Sequence, residues 1–160
     1  MAMDETLTAG QVMSRALVIV RPEESPLMAW ELMRRAGIHH LPVVNEHGLL
    51  LGILTKEDLA ASWTGGPEAQ SRTPLRRLLS GRRIPHVRQD ASLPHVATVM
   101  RDAGCDAVPV MAAGGAFVGM ITTVDVLDAV AGRTRPAEDA AEMVTGMFRL
   151  EPVLPVAGRA

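Results

Sequence analysis

The chain has 160 residues, a formal charge of −2 from 16 Lys+Arg against 18 Asp+Glu, and 48% hydrophobic against 21% charged residues. That composition excludes a largely disordered chain and fits one domain, or two small ones sharing a core. Apolar runs such as Leu49 to Leu54 fall far short of the roughly 20 residues that span a bilayer, and the acidic start Met1-Ala2-Met3-Asp4-Glu5 carries no secretory pattern, so a soluble cytoplasmic protein with no membrane contact is expected.

In chain order, Val18-Ile19-Val20 reads as a short apolar strand. Ser25-Pro26 then supplies an N-cap followed by proline at the first helical position. Leu27, Trp30, Leu32 and Met33 recur at helical spacing and predict one apolar face, and Gly37 ends the helix at a left-handed C-cap. Leu41-Pro42-Val43-Val44 is the next strand, Asn45-Glu46-His47-Gly48 a turn, Leu49–Leu54 a third strand, and Thr55 opens a second helix running to about Ser62. The order is β-α-β-β-α.

The same order returns as Ile84–Val87, Leu93–Ala103, Ala107–Met111, Ala116–Ile121 and Val124–Ala131. Each residue of the first copy lies 67 positions before its mate, as Gly37 to Gly104, Pro42 to Pro109 and Asp58 to Asp125. A single copy of about 55 residues would bury too little surface to be comfortably stable. The expected fold class is therefore α/β (α+β), with the two repeats packed sheet to sheet about a pseudo-twofold axis. Repeat 1 is placed over 8–64, a linker marked by Gly65-Gly66-Pro67 over 65–72, and repeat 2 over 73–131. A C-terminal extension over 132–160 follows. Within it Pro136 to about Phe148 reads as a helix with Ala140, Met143, Val144 and Met147 on one face, either covering the pair's edge or docking a partner.

The doubled unit resembles a tandem pair of CBS domains, the family named from cystathionine β-synthase and often called a Bateman module. The resemblance is carried by the paired Gly-x-x-Thr-x-x-Asp runs at Gly52 to Asp58 and Gly119 to Asp125, by the Pro-Val strand starts at Pro42 and Pro109, and by the doubled element order. It covers roughly residues 8–131. It implies a regulatory module that requires no cofactor, binds AMP, ADP, ATP or S-adenosylmethionine in clefts between the repeats, and forms flat homodimers. Many members are fused to an enzyme or transporter they control. No such domain is visible in this chain, so the expectation is a stand-alone, non-enzymatic sensor signalling to a separate protein.

The chemistry of those runs suits a nucleotide. Thr55 and Thr122 open helices, where unpaired backbone N–H groups and the positive dipole end favour a phosphate. Asp58 and Asp125, one turn along, can accept both hydroxyl protons of a ribose diol. Gly52 and Gly119 remove side chains within strands and allow close backbone approach. Adenine would lie against Val18, Val20, Ile84 and Val87, near Pro42 and Pro109. Thr-x-x-Asp is equally a capping box, in which both side chains serve only their own helix start. The alternative is thus a ligand-independent dimerisation or docking module.

His39 and His40 precede the first Pro-Val strand. In nucleotide-sensing relatives, basic residues at matching positions face phosphates, and a histidine near neutral pH can donate to one. Asp106-Ala107 stand there in repeat 2, so the two sites are not equivalent. The competing reading makes both histidines partly exposed strand-start residues. A zinc site from His39, His40 and His47 lacks a recognised spacing and a fourth ligand, and no metal is expected.

Arg72, Arg76, Arg77, Arg82, Arg83 and Arg88 form an acid-free basic stretch. It can meet phosphates or nucleic acid, or be a solvated helix face and loop. The overall charge of −2 argues against nucleic acid. With 2% aromatics and no Tyr, base-stacking platforms are nearly absent. The ten Met read as gap-fillers. Cys105, the one cysteine, cannot form an internal disulfide. It sits near Asp102 and His95 in sequence, but it matches the apolar Ile38 and reads as a core residue rather than a nucleophile.

Overall fold

A computed structural model of the chain describes residues 7–15, 17–63, 65–79, 81–133 and 143–145. They form two compact α+β units. Of the described residues, one unit gathers those from 18 to 84 with 144 and 145, and the other gathers those up to 17 with those from 85 to 133 and 143. The compact units and the sequence repeats are thus divided at different points. The segment ahead of residue 18 belongs with repeat 2, and the segment that opens repeat 2 belongs with repeat 1.

In the first unit, β1 (Leu17–Ile19) leads through Ser25 into α2 (Pro26–Ala36), α1 being the short N-terminal helix Ala9–Val12. Ser25 caps as expected, its Oγ accepting from Met28 N at 3.2 Å. Gly37 closes the helix at φ 65°, a conformation glycine adopts without strain. β2 (His40–Val44) and β3 (Leu50–Thr55) pair antiparallel, His40 opposite Thr55 and Pro42 opposite Ile53. Asn45 holds their turn, its Oδ1 accepting from His47 N and Leu49 N at 2.9 Å each. Val20 extends the sheet as a parallel bridge to Val43.

The α3 helix (Lys56–Ala61) follows β3 directly. The stretch expected as a linker is itself helical, as α4 (Gly66–Arg72), with Pro67 in its first turn where a missing N–H costs nothing. A 3-10 turn over Leu75–Leu78 then returns to the unit. Its Leu75 N donates to Glu24 O at 2.8 Å, and Leu75 and Leu79 complete a core with Leu32, Met33, Leu41, Leu54 and Leu59.

That core corrects the expected face of α2. Pro26, Ala29, Leu32 and Met33 are the buried positions, while Leu27 and Trp30 remain over a third exposed. Trp30 instead meets Trp63, their ring centroids 6.5 Å apart at 57°, a tilted aromatic arrangement.

The second unit repeats the pattern. β4 is only Val87–Arg88, parallel to β5 (Ala107–Met111), which pairs antiparallel with β6 (Phe117–Thr122). The strand read over Ile84–Val87 thus survives only at Val87, since Pro85 has no N–H to donate to a ladder. Between them α5 (Leu93–Ala103) runs from the Ser92 cap to Gly104 at φ 63°. α6 (Thr123–Val130) closes the unit. The leading segment joins it through Ser14, bridged to Met120 by paired backbone bonds of 2.8 and 3.0 Å. Ala9 and Met13 enter a core with Val87, Val96, Met100, Val108, Val110 and Ile121.

Met143–Thr145 form β7, paired with β1. The helix expected over Pro136 to about Phe148 is replaced by strand at those three positions and otherwise lies outside the described residues. No helix among the described residues is long and apolar enough to cross a membrane.

Candidate functional site

The Thr-x-x-Asp runs sit where a strand hands over to a helix, and both form the capping box read from sequence. In repeat 1, Thr55 N donates to Asp58 Oδ2 at 2.9 Å and Asp58 N to Thr55 Oγ1 at 3.1 Å. In repeat 2, Thr122 N donates to Asp125 Oδ2 at 2.8 Å and Asp125 N to Thr122 Oγ1 at 3.3 Å. Each carboxylate gives its main chain one oxygen, Oδ2, and keeps the other. An ionised carboxylate accepts at both oxygens, so capping alone does not exhaust it.

The two copies differ in what the remaining atoms do. Arg82 Nη1 donates to Asp58 Oδ1 at 2.8 Å, so both oxygens of the repeat-1 carboxylate are engaged. Asp125 has no ion-pair partner among the described residues. There the threonine is the committed group, Thr122 Oγ1 donating to Asp125 Oδ2 at 3.0 Å. The Thr55 hydroxyl proton has no such acceptor among the described residues. Asp125 is nearly buried, at 9% exposed.

His40 stands opposite Thr55 across the β2–β3 ladder. Cross-strand partners have Cβ atoms about 4.5–5.5 Å apart on one face, so the sheet brings the histidine to the threonine. Its mate Ala107 stands opposite Thr122 in the same register. His39 is exposed and His40 half-buried. Asp106, the mate of His39, accepts from Thr123 N at 2.9 Å and Thr123 Oγ1 at 3.3 Å through its carbonyl, fixing the start of α6.

The apolar positions divide. Val20 is a core residue and Val18 packs at that core's edge. Val87 belongs to the other core, and Pro42 and Pro109 are buried within their strands. Ile84 is half-buried and falls in the repeat-1 unit. The strand glycines leave room for side chains of the protein itself. A Cβ on Gly52 would lie 2.8 Å from Leu79 Cδ2, and one on Gly119 would lie 2.6 Å from Met13 Sδ and 2.9 Å from Ser14 O. The close approach read from Gly52 and Gly119 is therefore internal packing, because each exchanged leading segment needs a strand without a side chain to lie on.

Among the described residues, no three His, Cys, Asp or Glu side chains gather as a metal site. Cys105 packs against the repeat-2 core. Burial, with Asp106 adding to it, pushes its thiol above the ordinary cysteine range and away from the thiolate a nucleophile needs. The six arginines of the basic stretch are exposed. Sequence reasoning missed Arg82 as an individual. Its one signal was its place 67 positions after Arg15 at the matching point of the repeat.

The CBS domain family model matches residues 9–63 and 77–132. The chain is 31% identical over 125 residues to the magnesium transporter MgtE of Thermus thermophilus, covering 75% of this chain and 26% of that protein. The chain spans about a fifth to a quarter of the length of the first curated relatives it matches. Among solved structures, the CBS domain pair of protein MJ0100 in complex with 5′-methylthioadenosine and S-adenosyl-L-methionine is 26% identical. Its TM-score is 0.67, over 80% of this chain and 98% of that one. The cytosolic domain of the Mg2+ channel MgtE in complex with ATP is 30% identical with a TM-score of 0.64, over 76% of this chain and 48% of that one.

Proposed function

This chain belongs to the CBS domain family, and on that premise we propose that it is a non-catalytic regulatory module that binds an adenosyl ligand and signals to a partner protein in the cytoplasm. Asp58 and Asp125 are the residues that would take the ribose diol, with Thr55, His39 and His40 toward phosphate in repeat 1. The observation that carries this is the second oxygen of Asp125, which has no partner among the described residues, on a nearly buried carboxylate whose capping bonds use Oδ2 alone. Structural relatives with this fold hold 5′-methylthioadenosine and S-adenosyl-L-methionine, or ATP, which supports the choice of an adenosyl group. Homodimerisation is supported by the side of α6, where Val124, Leu127 and Val130 are 59%, 61% and 60% exposed.

A ligand that binds only the folded protein must raise its melting temperature, by RT ln(1 + [L]/Kd) in free energy. AMP, ATP, S-adenosylmethionine and 5′-methylthioadenosine, screened by thermal shift on the wild type, should include at least one that stabilises it. Asp125→Ala or Asp58→Ala should remove part of that shift. Silence from every compound at millimolar concentration would leave a ligand-independent docking module. The completeness of both capping boxes favours that second reading.

A further inference from the structure

Arg82 makes a contact that nothing reproduces in the second unit. Its guanidinium occupies Asp58 Oδ1, the oxygen that capping leaves over, with the Arg82 side chain 47% exposed and that of Asp58 20%. The mate of Arg82 in the repeat is Arg15, which shares a unit with Asp125. Among the described residues no ion pair joins those two.

The surrounding groups follow the same division. Repeat 1 brings together Arg82, the uncommitted hydroxyl proton of Thr55 and, across the ladder, His40. Repeat 2 has Ala107 at the ladder position and a threonine hydroxyl already donating to its own carboxylate. Repeat 1 is thus rich in donors, whereas the uncommitted atom of repeat 2 is an acceptor.

We propose that Arg82 is the specificity-determining residue of repeat 1 and makes it select adenosine 5′-phosphates over uncharged adenosyl compounds; the proposal rests on the adenosyl-binding reading above. An uncharged nucleoside must compete with the guanidinium for Asp58 Oδ1. A phosphate offers the guanidinium a second anion that matches its planar fork bidentately. Arg82 then moves to the phosphate and releases Oδ1 to the ribose diol. A half-exposed ion pair is weak, so exchanging it for a phosphate contact meets little resistance. In repeat 2 no ion pair among the described residues holds Asp125, so that exchange does not arise there and phosphate gains no advantage from it.

Isothermal titration of the full chain with AMP and with adenosine tests this, using Asp125→Asn throughout so that repeat 1 dominates the signal. With Arg82 present, AMP should bind at least fivefold more tightly than adenosine. Arg82→Ala should cost AMP at least fivefold while leaving adenosine affinity unchanged or improved, and Arg82→Lys should keep part of the preference for AMP. Equal losses for both ligands would mark Arg82 as merely structural and overturn the proposal. So would equal affinities that Arg82→Ala leaves alone, though adenosyl binding itself would then stand. If neither compound binds at millimolar concentration even to the unsubstituted chain, the proposal is overturned, and the adenosyl reading falls with it only if ATP, S-adenosylmethionine and 5′-methylthioadenosine are silent as well.

Discussion

At the scale of single residues, Asp125 carries two tasks that chemistry can separate. Its Oδ2 caps α6, and its Oδ1 has no partner among the described residues. Asp125→Asn keeps an oxygen for the Thr122 N–H but turns the other position into a donor, which a ribose diol cannot use in the same way. The asparagine variant should stay within about 1 kcal/mol of wild type in urea unfolding, while Asp125→Ala loses about 0.5–2 kcal/mol with the cap. Both should lose at least part of any thermal shift that 5′-methylthioadenosine gives the wild type. If Asn retains that shift, the carboxylate has no role beyond the helix. Cys105 offers a second test. Its raised thiol pKa, caused first by burial, predicts slower reaction with a maleimide at pH 8 than in the urea-unfolded chain. The thiolate is the reacting form, and less of it is present in the fold; the same shift makes the fold relatively more stable below the unfolded pKa, an advantage lost as pH rises through the folded one.

At the scale of elements, the two strand glycines are equivalent in sequence and unequal in consequence. A Cβ on Gly52 presses on the end of the Leu79 side chain, which can turn aside. A Cβ on Gly119 meets both Met13 and the carbonyl oxygen of Ser14, and that oxygen is held by its own backbone bond from Met120. Overpacking of this kind costs about 1–3 kcal/mol. Gly119→Ala should therefore fall toward the upper end and Gly52→Ala toward the lower, measured as midpoints of urea unfolding. Equal losses would mean that the leading segment yields as easily as a leucine side chain. The helices show how local rules and packing divide the work. Ser25 and Ser92 cap, and Gly37 and Gly104 terminate, from interactions within a few residues. Which side of α2 is buried was not settled by its apolar spacing, because Leu27 and Trp30 are as apolar as Leu32 yet face outward.

At the scale of the whole molecule, the exposed side of α6 is the feature that association would cover. Leu127→Glu should leave folding stability within about 0.5 kcal/mol, as surface changes usually do, and shift the mass from light scattering toward one chain. A dimer that persists unchanged would place the interface elsewhere. The sequence by itself determined the doubling, the element order, the helix caps and the placement of both Thr-x-x-Asp runs. These depend on a fixed repeat interval and on hydrogen bonds reaching three or four residues, which spacing records directly. Only the tertiary structure decided that each repeat's leading segment packs into the other unit, that Gly52 and Gly119 make room for those segments, and that Arg82 rests on Asp58. Those outcomes turn on which distant side chains fill a given space and which charges meet there, and a linear pattern of residue types does not encode that competition.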